Sequence, residues 1–174
     1  MTNFFYHKLY KYITLSLIVF FSYILQTTPG ILSYYDITPV LVLPACICIS
    51  VYEGEFAGGL FGFFSGLMVD CFSEANFGYS SFFYLILCVA AGLATNHFFR
   101  RSTMNIIILC LSSIFINSVI NFFFSYVLYS TIGIQSIFYT IIAPQALYST
   151  LFSIPYCYLF KWLHKVFEPD VARE

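Results

Sequence analysis

The sequence is a succession of apolar segments, each close to the length of a bilayer crossing, joined by short polar links. Hydrophobic residues make up 60% of the 174 residues and charged residues only 9%, against about 25% charged residues in a typical soluble domain. A soluble fold of this size leaves much of its chain in contact with water, so it could not hide this much apolar surface. The sequence therefore predicts an all-α integral membrane protein that forms a single polytopic domain, with no room for a soluble catalytic domain.

Glycine, proline and charged residues divide the apolar sequence into six segments. We expect transmembrane helices at about 12–28, 38–52, 56–71, 80–99, 104–129 and 136–160. The second and third segments are short for the roughly 20 residues of a full crossing, so a tilted or re-entrant hairpin is the alternative for this pair. Pro39 suits a first helical turn, whereas Pro44 lies deeper and is expected to kink the second helix.

The first segment resembles a signal peptide because Lys8 and Lys11 precede its apolar run. No small-residue cleavage pattern follows it. We interpret it as a retained first helix that also acts as the targeting signal.

The basic residues indicate how the helices are oriented. With a cytoplasmic N-terminus and six crossings, every lysine and arginine falls in a cytoplasmic segment, as the positive-inside rule expects: Lys8, Lys11, Arg100, Arg101, Lys161, Lys165 and Arg173. We therefore predict that both termini are cytoplasmic. Counting helices 2 and 3 as a re-entrant pair preserves this pattern, so the even number of crossings is better supported than the number six.

The third predicted helix carries glycines at every fourth position, Gly58, Gly62 and Gly66, followed four residues later by Asp70. Small residues at this spacing allow another helix to approach closely, which matters because lipid provides no hydrophobic force between helices. We favour internal helix packing as the role of these glycines. A partner-binding face or a substrate groove is the alternative.

Two acidic positions flank this glycine face. Asp70 lies at the outer end of the helix, where a carboxylate either bonds to the start of the next helix or water, or binds a partner; we keep both interpretations. Glu53 lies at the cytoplasmic end with Glu55, where it could cap a helix, pair with Arg100 or Arg101, or face a partner. No second acid, histidine or nucleophile is placed beside Asp70 by the sequence, so we expect no catalytic role.

Polar stripes mark the last two predicted helices. Ser113, Asn117 and Asn121 follow one another at four-residue steps on the fifth helix, and Gln145 and Ser149 do so on the sixth. Polar groups inside a bilayer must face protein or water. We favour hydrogen bonds between the two stripes, each worth roughly 1 kcal/mol. A polar ligand cavity between them is the alternative.

The six cysteines fall mostly inside apolar runs, where a free thiol behaves as a small apolar group. Their spacing matches no metal-binding pattern, so we predict neither a disulfide nor a metal site. We also predict no cofactor. An intramembrane enzyme is the least favoured function, because the sequence offers no paired acids in mid-membrane and no nucleophile with an adjacent base.

The stretch from Tyr52 to Leu93 resembles the rod shape-determining MreD family. That family has an acidic residue after the second helix, then a glycine-rich GxxxGLxxD helix, a glycine turn and a helix of small residues. The matching positions here are Glu53, Gly62, Gly66, Leu67, Asp70, Gly78 and Gly92. Outside this central third the match is weaker, and the chain is richer in phenylalanine and tyrosine.

This resemblance implies a non-enzymatic scaffold in the bacterial inner membrane that binds MreC. Through MreC it would act with MreB filaments, a SEDS glycosyltransferase and an elongation transpeptidase, which together build the lateral peptidoglycan wall and set cell shape. Its partners would be these proteins and the lipid bilayer, not nucleic acid. The family also resembles in fold the substrate-binding subunits of energy-coupling-factor transporters, so the alternative function is a vitamin-binding membrane subunit.

Overall fold

The protein is all-helical in the parts of the chain that its structure describes. The structure is a computed structural model that describes residues 2–28, 39–72, 78–97, 103–129 and 143–167. These ranges form α1 (Thr2–Thr27), α2 (Val42–Glu53), α3 (Glu55–Phe72), α4 (Tyr79–His97), α5 (Thr103–Tyr129) and α6 (Ala143–Phe167). Four of these helices contain segments long and apolar enough to cross a membrane, Leu9–Thr27 of α1, Glu55–Phe72, Tyr79–His97 and Thr103–Phe124 of α5.

Successive helices run in alternating directions, as contacts at their ends show. At one end, which we call the basic end, Lys11 of α1 pairs with Glu53 of α2, Glu55 of α3 lies beside Asn96 of α4, and Lys161 of α6 lies beside Thr103 of α5. At the other end, which we call the Asp70 end, α3 finishes where α4 begins. The start of α1 and the end of α6 therefore face the same end of the bundle.

Helix α2 lies at the centre of the bundle. It contacts each of the other five helices, and every residue from Val42 to Val51 is buried. A helix that is apolar on all sides is a buried one. The small side chains of Ala45 and Ser50 allow its neighbours to come close. The surrounding helices expose many large apolar side chains, such as Phe56 and Phe115, which is the surface a bilayer requires.

The backbone just before α2 is not helical, and side chains of two other helices satisfy it. The Gln26 side-chain oxygen of α1 accepts the N–H groups of Leu41 and Val42 at 2.9 and 3.1 Å, and the Ser149 hydroxyl of α6 accepts the N–H of Val40 at 2.8 Å. Irregular backbone at membrane depth is tolerated only where protein surrounds it. These bonds hold the start of α2 between α1 and α6.

The bounds of α2 correct the sequence expectation. The helix begins at Val42 rather than near residue 38, so Pro44 lies in its first turn, where a missing N–H is harmless, and not at an internal kink. Its 12 residues span about 18 Å at 1.5 Å per residue, less than the roughly 30 Å hydrocarbon core. Helix α3 runs between the same two ends with 18 residues, about 27 Å at 1.5 Å per residue, which favours a crossing over a re-entrant hairpin for this segment.

Helices α1 and α6 also differ from their expected bounds. Helix α1 begins at Thr2 instead of near residue 12, because no glycine or proline interrupts residues 2–28 and a helix can continue beyond its apolar part. Helix α6 extends to Phe167, past the expected end at residue 160. The expected start of this helix at 136 lies outside the described residues. Helices α3 and α5 match their expected bounds closely.

Candidate functional site

The glycine face of α3 lies against α2 and α4. Gly58 contacts Ser50 of α2, where a methyl group would meet the Ser50 backbone and side chain. A methyl group on Gly62 would lie 2.8 Å from the Tyr84 carbonyl oxygen of α4, and one on Gly66 would lie 2.6 Å from the Ser81 nitrogen. All three glycines are buried. The geometry therefore agrees with the packing interpretation of the glycines and places this face away from any external partner.

Asp70 completes this face at the start of α4. Its carboxylate accepts hydrogen bonds from the backbone N–H groups of Gly78, Ser80 and Ser81 at 3.0, 3.0 and 3.1 Å, and the residue is only 3% exposed. The first N–H groups of a helix lack partners within the helix and carry partial positive charge. Asp70 therefore caps α4 from the end of α3, one of the two roles that the sequence allowed.

Gly78 makes this cap possible. Its φ is +92°, a conformation that glycine adopts freely and other residues rarely adopt. In this conformation its N–H points at Asp70. The glycine turn and the aspartate act as one unit that joins α3 to α4.

Ser50 is a residue that the sequence did not single out. Its hydroxyl donates a hydrogen bond to the Cys88 carbonyl oxygen of α4, and its side chain lies between Gly58 of α3 and Gly92 of α4. It is fully buried. Three helices thus meet at one small side chain. In the sequence, the signals for this contact are Gly58 and Gly92, which lie on two other helices.

Glu53 pairs with Lys11 at the basic end. Their charged atoms lie 2.5 Å apart, and the two side chains are 10% and 9% exposed. His164 of α6 packs against Tyr52 in the same region, with ring centroids 4.8 Å apart. A buried ion pair of this kind fixes how α1 and α2 meet. Its partner is thus a residue of the first helix.

The polar stripes are placed unevenly. Ser113 and Asn117 are buried, Asn121 is exposed, and Ser149 is fully buried. The Ser149 hydroxyl donates to the Gln145 carbonyl oxygen of its own helix at 2.7 Å while it accepts the N–H of Val40. Ser149 thus supports the start of α2. Hydrogen bonding between the two stripes stays a prediction.

A lateral groove opens between α1 and α3. It has a volume of about 640 Å³ and is almost entirely apolar. Its lining residues are Tyr12, Ile13, Ser16, Leu17, Val19, Phe20, Leu60, Phe61, Phe64, Ser65 and Met68. A second apolar groove, of about 450 Å³, lies on the other side of α1 against α6. Helix α1 therefore has an apolar groove on each side, one towards α3 and one towards α6.

These features define a multi-pass, all-helical membrane protein whose central short helix is enclosed by its neighbours. The model of a protein family described as rod shape-determining protein MreD matches residues 6–167. This chain belongs to the MreD family, and is a rod-shape-determining membrane protein. No curated protein and no solved structure shows significant similarity to it.

Proposed function

We propose that this chain is a non-enzymatic scaffold of the bacterial cell-elongation machinery that binds MreC. The observation that carries the proposal is the family match, which spans residues 6–167 and not only the glycine-rich centre. Through MreC the scaffold acts indirectly with MreB, a SEDS glycosyltransferase and an elongation transpeptidase. Its effect is control of lateral peptidoglycan synthesis.

The α1–α3 groove is the surface we assign to MreC. Its walls expose large apolar side chains, including Leu17, Phe20 and Phe64. Among the described residues of its lining, hydroxyl groups belong to Tyr12, Ser16 and Ser65. Helices associate in lipid by close packing and occasional hydrogen bonds, which this lining can offer to a membrane-embedded segment of MreC. The glycine face is occupied by α2 and α4, so partner binding falls to this outer surface.

The basic end is proposed to face the cytoplasm of a bacterial inner membrane. Lys11, Lys161 and Lys165 belong to the helical segments at this end, and positive charge next to a crossing favours the cytoplasmic side. The alternating directions of the helices support an even number of crossings with both termini cytoplasmic, and six is the number we propose.

A scaffold explains the arrangement of polar groups better than a vitamin-binding subunit does. A ligand site requires a concave pocket with a few unengaged polar groups. At the Asp70 end, Asp70, Gln26 and Ser149 are instead engaged by backbone N–H groups of the protein itself. Likewise, the carboxylates of Glu53 and Asp70 serve an ion pair and a helix cap, which supports a non-enzymatic role.

Co-purification tests this proposal. The tagged protein is lightly crosslinked in its native membrane, extracted in a mild detergent and analysed by mass spectrometry for the proteins that accompany it. Recovery of MreC and the wall synthases is the expected result. Recovery of an ATPase pair with its coupling subunit, and of no wall proteins, would contradict the scaffold proposal and support the transporter alternative.

A further inference from the structure

Three cysteines from three different helices meet inside the bundle. Cys48 of α2, Cys110 of α5 and Cys157 of α6 are each fully buried. The Cys157 sulfur lies 3.8 Å from that of Cys48 and 4.0 Å from that of Cys110, and all three sulfurs lie within 4.8 Å of one another. The spacing of these residues along the sequence gives no hint of this cluster, which we call the thiol triad.

We propose that the thiol triad is a binding site for a soft, thiophilic monovalent cation of the Cu(I) type. A metal–thiolate bond is about 2.3 Å long, as in zinc sites. Three sulfur atoms arranged as a planar triangle around an ion at this bond length lie about 4 Å from one another. The distances in the triad are close to this value. Two of the three sulfur pairs need almost no movement to reach it.

The number of ligands selects the kind of ion. Thiolates favour soft ions such as Cu(I) and also zinc, but a structural zinc site takes four ligands. Among the described residues, the group of potential metal ligands at this place contains the three cysteines and no histidine or carboxylate. Three sulfurs suit the low coordination number of Cu(I).

The triad lies in the half of the bundle nearer the basic end. Cys157 precedes Lys161 by one helical turn, and Cys48 precedes Glu53 by five residues. At this end a void of about 10 Å³ is lined by Ile49 and Phe160 together with the Lys11–Glu53 pair, and it has room for about one water molecule.

Binding exchanges protons for the ion. Each coordinating thiol gives its proton to the solvent as its thiolate bonds to the ion, with no change of oxidation state. The loaded site is negatively charged, and Lys161, which follows Cys157 by one turn on the same helix, places a positive charge at the basic end beside Thr103. The bound ion links α5 and α6 to α2. Its removal weakens the packing of these three helices and leaves the α1–α3 groove unchanged.

Copper loading tests the proposal. The detergent-purified, reduced protein is incubated anaerobically with Cu(I) as its bicinchoninate complex, desalted and analysed for copper and sulfur. We expect one Cu(I) per chain in the wild type and in Cys71→Ser, which removes the exposed thiol of α3, and at least a tenfold loss of affinity in Cys157→Ser. Equal copper content in the wild type and Cys157→Ser, or loss of copper in Cys71→Ser, would overturn the proposal.

X-ray absorption of the copper-loaded wild type gives an answer that needs no variant. Three sulfur neighbours around copper are expected. Two sulfur neighbours, or nitrogen and oxygen neighbours, would show that the ion sits elsewhere and that the three thiols serve only as small apolar side chains. Copper should also raise the melting temperature of the wild type, because an ion that binds the folded state stabilises that state. It should not raise the melting temperature of Cys110→Ser, which lacks one of the three ligands.

Discussion

Asp70 shows how one side chain can satisfy the polar backbone of a neighbouring helix in an apolar environment. Its two carboxylate oxygens accept three backbone N–H groups at the start of α4. In a bilayer each of these groups is costly if left unpaired, and the helix dipole adds a favourable field for the negative charge. The residue therefore acts as a helix cap that ties the end of α3 to the start of α4.

Replacing Asp70 by asparagine should destabilise the protein. Asp70→Asn keeps the shape but removes the charge and one acceptor, so we expect a loss of about 2 kcal/mol in the free energy of unfolding, as for other charged caps. Circular dichroism during unfolding in mixed micelles measures it. The matched control is Glu55→Gln, which alters an acid at the exposed contact with Asn96 and should cost much less. Equal losses in the two variants would contradict the capping role.

The buried Lys11–Glu53 pair should fix how α1 meets α2 but add little to the net free energy of unfolding. Lys11→Met leaves the Glu53 carboxylate buried without its cation and is expected to cost about 3 kcal/mol, since a broken buried pair is worse than an absent one. The double variant Lys11→Met, Glu53→Met should recover much of this loss. The same unfolding measurement applies. A double variant less stable than Lys11→Met would show that Glu53 is not held mainly by this pair.

At the scale of the helices, α3 depends on the absence of side chains along one face. A methyl group on Gly66 would meet backbone atoms of α4, with the Ser80 carbonyl carbon 2.8 Å away. On Gly59 of the same helix it would meet only the tip of the Val89 side chain at 2.7 Å. Backbone cannot move aside as a side-chain tip can, so the two positions differ in tolerance although both are buried glycines.

Gly66→Ala should therefore separate α3 from α4, whereas Gly59→Ala should be mild. We expect a loss of about 2 kcal/mol for Gly66→Ala, typical of overpacking, and a clearly smaller loss for Gly59→Ala. Unfolding in mixed micelles and the yield of folded protein report both. Similar behaviour of the two variants would argue that the i+4 glycine face is not the feature that holds the helices together.

The sequence predicts the helices better than it predicts their roles. Apolar length and breakers place α3 and α5 well, because membrane helices follow hydropathy. The start of α2 differs because it depends on Gln26 and Ser149, which come from other helices. No local pattern reveals such a partner.

The same division applies to the candidate site. The four-residue spacing of Gly58, Gly62 and Gly66 predicts one close-packing face, and the structure shows which helices occupy it. Ser50 was missed because its importance arises only when α3 and α4 meet α2. The α1–α3 groove was missed for a related reason, since a gap between helices depends on how they pack and not on any residue type.

At the scale of the whole molecule, α1 lies at the edge of the packed core, to which it contributes Leu15, Val19 and Tyr23. Helices α3 and α4 share the most extensive contact and α2 joins all the others, whereas α1 contacts α3 only modestly. The bundle thus combines a tightly fitted interior with an apolar groove on its outer surface. The proposed scaffold role uses this outer surface, whose apolar residues can pack against the helix of a partner.

Site-specific photocrosslinking in cells tests this account most directly. A photoreactive phenylalanine analogue replaces Phe64 in the α1–α3 groove or, as the control, Phe115 on α5, which has the same side chain and similar exposure, 57% and 63%. We predict a crosslink to MreC from position 64 and none from position 115. A crosslink to MreC from position 115 alone, or to a transporter coupling subunit from position 64, would contradict the assignment of the groove to the elongation machinery.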